Sequence, residues 1–213
     1  MAGQHDPDVT VEKLSQPPWQ TRQGVLFYRY QLKGDPHHMN KFFKTLTTLV
    51  LASTVATPAL AQSNHQHHVL LSEAVKATGV TFKINPADCY TKENVGTFGW
   101  YWAYRNEMVI CQENATTTKQ VTWTEEDYDT LRHEAQHLIQ DCMDGKLNDK
   151  LSSVYKEPIA LAKDVIGEMG IMEVLKAYED SSPNTKVMEL EAFSVAAMND
   201  PLDQARDIQK FCF

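Results

Sequence analysis

An α+β fold is the class this sequence predicts, and three observations carry the prediction. Val80, Phe82 and Ile84 alternate with polar residues at the two-residue period of a strand. Residues 99–113 are rich in aromatic and β-branched side chains, again strand-like. From Thr124 onward the apolar residues recur at helical spacing instead. Strands followed by helices, rather than strands alternating with helices, make a small β-rich N-terminal part packed on a helical core. With 213 residues, 42% of them hydrophobic, the chain can bury one such core.

The elements follow in order. Residues 62–68, Gln-Ser-Asn-His-Gln-His-His, are polar and read as a solvated terminus. Residues 69–78 have helical spacing and stop at Gly79. The strand of residues 80–84 ends at Pro86. Arg105-Asn106 divides the aromatic run 100–104 from Met108-Val109-Ile110-Cys111, which predicts a hairpin or two successive strands. Thr124-Glu125-Glu126-Asp127 resembles a capping box with an acidic first turn, so a helix should run from there to about Met143 and stop at Gly145. Three more helices are expected over residues 158–178, 183–198 and 202–211, the second stopped by Asp200-Pro201.

Residues 39–61 have the three parts of a secretory signal: the basic start Met39-Asn40-Lys41-Phe42-Phe43-Lys44, a short apolar run, and Pro58-Ala59-Leu60-Ala61. The apolar run is shorter than the roughly 20 residues that span a bilayer. Cleavage is expected after Ala61, giving an exported protein, periplasmic or secreted, with no membrane attachment afterwards. Residues 1–38 then read as an over-extended start or leader, and residues 62–213 as a single domain. Cys89, Cys111, Cys142 and Cys212 all lie in that domain, and an even count behind an export signal implies disulfides. Four cysteines allow three pairings; the one favoured here is Cys89–Cys111 with Cys142–Cys212. The net charge of −8, with no basic cluster, argues against nucleic acid as a partner.

The chemistry rests on His133-Glu134-Ala135-Gln136-His137. Two histidines four residues apart on a helix point the same way and can hold one Zn²⁺, and the Glu next to the first His can reach a water beside that ion. At 100° per residue, Leu131, Ala135, Leu138 and Cys142 form an apolar stripe, while His133, Glu134, His137 and Asp141 fall on another. A catalytic zinc site needs a third protein ligand. No His follows His137, so a carboxylate from a later helix is expected. Glu191 is favoured because Val187, Met188 and Val195 surround it, and a lone carboxylate on an apolar face is costly unless paired or metal-bound. Glu189 and Glu168 are the contenders. Asp141 is a weaker candidate, as an acceptor that orients a liganding histidine.

Together with Glu189-Leu190-Glu191-Ala192-Phe193-Ser194-Val195-Ala196, the His133–His137 segment resembles the gluzincin branch of the zincin metallopeptidases. The resemblance implies a zincin-like core built around the HExxH helix. It implies zinc held by His133, His137 and Glu191, with Glu134 as general base, acting on a peptide or protein substrate. It also implies that the strand near residues 108–111 lies along that substrate. The Asn-Glu-x-x-Ser-Asp form of the second motif is absent, so thermolysin-like specificity is not implied.

Overall fold

The computed structural model describes residues 58–213 apart from Leu147 and Asp149. The leader, and the signal segment before Pro58, lie outside the described residues. Six α-helices and a three-stranded mixed sheet are described. They are α1 (Pro58–Ala77), β1 (Thr81–Ile84), β2 (Gly99–Trp102), β3 (Glu107–Ile110), α2 (Glu125–Met143), α3 (Pro158–Val165), α4 (Gly167–Ala177), α5 (Pro183–Met198) and α6 (Pro201–Phe211). None of the described helices is long and apolar enough to cross a membrane.

The helix expected over residues 69–78 forms before the sheet, but it starts at Pro58, so the histidine tract belongs to it rather than to a loose terminus. His68 is buried: its ring stacks on Tyr128 at 4.2 Å, and its Nδ1 lies 2.8 Å from the Asn64 carbonyl. Packing overrides polarity here, because α1 lies on α2 and α6 and sends Leu71 and Val75 into the core.

The hairpin forms as expected. Trp100 pairs with Val109 and Trp102 with Glu107, antiparallel. The turn is a short 3-10 segment over Ala103–Arg105, closed by Asn106 in the left-handed region (φ 47°), where Asn is tolerated better than most residues. β1 joins the other side of β3, parallel, so the strand order is β1-β3-β2. Both edges of β3 are therefore hydrogen-bonded within the sheet. The strand at 108–111 has no open edge for a substrate, and that implied role is withdrawn.

α2 starts with the capping box anticipated. Thr124 Oγ1 accepts from the Asp127 N–H at 3.2 Å, and Asp127 Oδ2 accepts from the Thr124 N–H at 2.9 Å. Its apolar stripe enters the main core: Leu131, Ala135, Leu138 and Ile139 meet Leu71, Val75, Tyr101, Met108, Ile110 and Ile208. The long helix expected over residues 158–178 is two helices. Gly167 sits at φ +71°, which a continuing helix cannot accommodate, and the chain restarts there as α4. A smaller cluster of Ala162, Val174, Tyr178 and Leu190 packs α3 and α4 on α5. Both favoured disulfides are present: Cys89–Cys111 fastens the loop after β1 to the end of β3, and Cys142–Cys212 joins α2 to the end of α6.

Candidate metal centre

α2 is buried on nearly all sides, so its polar stripe is enclosed as well as its apolar one. That stripe meets α5. His133 and His137 stand one turn apart with their Nε2 atoms 3.0 Å from each other. Glu189 of α5 completes the group: its carboxylate oxygens lie 3.2 Å from His133 Nε2 and 3.4 Å from His137 Nε2. These three residues offer ligand atoms all within 4.8 Å of one another, and among the described residues they are the only such group of three. Phe193, one turn further along α5, sets its ring edge against His133 at 4.4 Å.

The third member is thus Glu189, not the favoured Glu191. Both carboxylates are wholly buried, because α5 is covered by α2 on one side and by α3 on another. Apolar neighbours in sequence could not separate them. Glu191 turns instead to the segment between α2 and α3, where its oxygens accept from the backbone N–H groups of Val154 and Tyr155, each at 3.1 Å, and from the Ser153 hydroxyl. Gln136 and Gln140 of α2 also donate to it, at 2.9 and 3.0 Å. Glu168 stands apart on α4, its side chain 79% exposed, facing Lys163.

Asp141 does not orient a histidine either. It accepts from the buried Tyr101 hydroxyl at 2.6 Å. The neighbour of His137 is Gln140, whose Oε1 lies 2.8 Å from Nδ1. A polar residue three positions after His137 falls on the same helix face, and that spacing was the signal available for it.

Glu134 lies under β2. The Tyr101 backbone hydrogen-bonds its carboxyl. The close approach needs Gly99, where a Cβ would stand 2.6 Å from Thr130 Cγ2, 2.8 Å from the Val109 carbonyl oxygen and 3.4 Å from Glu134 Cγ. Burial, with some help from Glu189, pushes the Glu134 carboxyl up to about 8, against the pull of His137 and Tyr101. Burial also works to raise Glu189, but His137 and contacts from both imidazoles hold it down at about 2. For His137, burial is outweighed by Glu189, which lifts the ring to about 9; for His133 burial wins and the ring falls to about 4. Glu189 is thus favoured as a carboxylate beside a His137 ring that its charge helps to protonate, while burial favours the neutral form of His133.

The donor set fits a divalent cation. Neither Glu189 oxygen makes a well-directed hydrogen bond among the described residues, although both are buried. Two imidazole nitrogens and a carboxylate aimed at one point are ordinary zinc ligands.

Fold and site together define an α+β protein with a buried two-histidine, one-glutamate group on the face between two helices. Residues 59–213 match the family described as Domain of unknown function (DUF8637), and the chain belongs to that family. No curated protein and no solved structure matches the chain.

Proposed function

We propose that the chain is an exported zinc-dependent hydrolase, a metallopeptidase of gluzincin-like, HExxH type acting on peptide or protein substrates. The observation that carries the reading is the convergence of His133, His137 and Glu189, with Glu134 on the next position of the same helix. His133, His137 and Glu189 would hold Zn²⁺. When bound, the ion supplies Lewis acidity that lowers the pKa of water towards ~7 and polarises a carbonyl. With the positive charge of a bound divalent cation favouring its ionised form, Glu134 would take the proton from the attacking water and deliver it to the departing amine. The Tyr101 backbone and the close fit against Gly99 hold the Glu134 carboxyl in place for that transfer. Two disulfides agree with an oxidising, extracytoplasmic location.

One observation favours a second reading. None of His133, Glu134, His137 and Glu189 is more than 1% exposed. A closed site of this kind suits a protein that holds zinc without turning over a substrate. The deciding experiment measures zinc content and amide hydrolysis for the wild type, Glu189→Gln and Glu134→Gln. The hydrolase reading expects one zinc per chain in the wild type, zinc lost in Glu189→Gln, and zinc retained but hydrolysis lost in Glu134→Gln. Zinc retention with no hydrolysis of any peptide library in the wild type would favour the holding protein. Absence of zinc from the wild type would remove both.

A further inference from the structure

We infer that Glu191 is a positioning residue for this centre: acting through Gln140, it dictates that the proton of His137 sits on Nδ1 and that Nε2 faces His133 and Glu189. The role rests on the zinc-centre reading, but the proton assignment does not need a metal to be measured.

The assignment follows from counting donors and acceptors outward from Glu191. Its two oxygens are surrounded by five donors: the Gln136 and Gln140 side-chain amides, the Val154 and Tyr155 N–H groups and the Ser153 hydroxyl. Gln140 must present its NH₂ group to such an acceptor. The second hydrogen of that NH₂ points at the Met188 carbonyl, 3.1 Å away, which also only accepts. Both amide hydrogens are thereby committed. The remaining atom, Oε1, has nothing to donate, and it lies 2.8 Å from His137 Nδ1. Nδ1 therefore carries a hydrogen. Turning the Gln140 amide over would set its oxygen against two other acceptors, so only one orientation satisfies the network. Nε2 is left as the atom directed at His133 Nε2, 3.0 Å away, and at Glu189. A liganding imidazole held in this way by its other nitrogen is the usual means of setting ring orientation and basicity.

The same carboxylate anchors Ser153, Val154 and Tyr155, so the segment after α2 and the His137 ring are registered against one buried group. This gives a physical reason for a second buried glutamate two residues from the one that joins the histidines.

The test uses the wild type, Glu191→Gln and Gln140→Met. The first substitution places a donor among donors, so Gln140 loses its compulsory orientation. The second removes the relay but leaves Glu191 its three partners after α2, which guards against a variant that simply fails to fold. Metal-free wild type should show a slowly exchanging His137 Nδ1–H signal in ¹H–¹⁵N spectra, and this proton is present whether the ring is neutral or charged. Both variants should lose or broaden that signal. Both should also bind zinc about 10–100-fold more weakly in competition with a chelating indicator. Lack of the Nδ1–H signal in the wild type overturns the inference, as does an unchanged signal with zinc affinity within twofold of wild type in both variants. Wild type that shows the signal yet binds no zinc refutes the zinc-centre reading instead, so the two failures are distinguishable.

Discussion

Replacing Glu189 by Gln tests the electrostatics of the centre without reference to catalysis. In the chelator-treated protein the Glu189 carboxylate balances the proton that its charge favours on His137. Its pKa falls from an ordinary 4.5 to about 2. At 1.36 kcal/mol per tenfold change in proton affinity, that is about 3 kcal/mol of stabilisation. The rise of His137 from 6.5 to about 9 is the same interaction seen from the other partner, so it is not added. Removing one member of a buried pair costs about 3–5 kcal/mol elsewhere, which agrees. The sign fixes the pH window. The Glu189 contribution is complete above 4.5 and is lost as pH falls through 2. The His137 contribution is complete below 6.5 and is lost as pH rises through 9. Urea unfolding of metal-free wild type and Glu189→Gln at pH 6 should therefore differ by about 3 kcal/mol, and the gap should narrow between pH 6.5 and 9. Excess zinc should then raise the wild-type midpoint and leave the variant where it was. Equal stabilities at pH 6, or an equal response to zinc, would refute the reasoning.

Three further outcomes are expected. Glu126, pushed up to about 7 by burial and by Asp127, gives stability that is full below 4.5 and gone as pH rises through 7; Glu126→Gln should therefore be more stable than wild type by about 1–2 kcal/mol at pH 8 and equal to it at pH 4, measured by thermal unfolding. Gly99→Ala puts a Cβ against the fixed Val109 carbonyl and should cost about 1–3 kcal/mol, read as a lowered denaturation midpoint. The paired change Cys142→Ser with Cys212→Ser opens a link between residues 70 apart and should cost about 4 kcal/mol by chain entropy; a loss under about 1 kcal/mol would show that the link adds little.

Much of the fold was legible because local signals agreed with packing. Thr124 and Asp127 mark the start of α2, and Asn106 the turn between β2 and β3. Cysteine pairing came out as favoured, although spacing alone does not decide it. The illegible parts share a cause. Polarity made residues 62–68 look like solvent-facing chain, yet the stacking of His68 on Tyr128 lies in the contact between helices and leaves no mark in the local pattern. Gly167 in a helical stretch can be tolerated or can break it, and only its positive φ decides. At the site, the motif residues 133–137 were plain from spacing. Glu189 and Glu191 are two residues apart on a helix, so they face directions about 200° apart. Both directions are covered, and no property of the α5 sequence says which one looks at the histidines.

The bridge from Cys142 to Cys212 sets a timetable. Cys142 ends the helix that bears both histidines, and its partner emerges 70 residues later. A growing chain cannot close that helix against α6 until almost all of the described sequence has been released. Locking of the end of α2 against α6 thus comes after the two histidines and Glu189 have been made, and a product that stops short of Cys212 carries all three without the tie that secures the helix end.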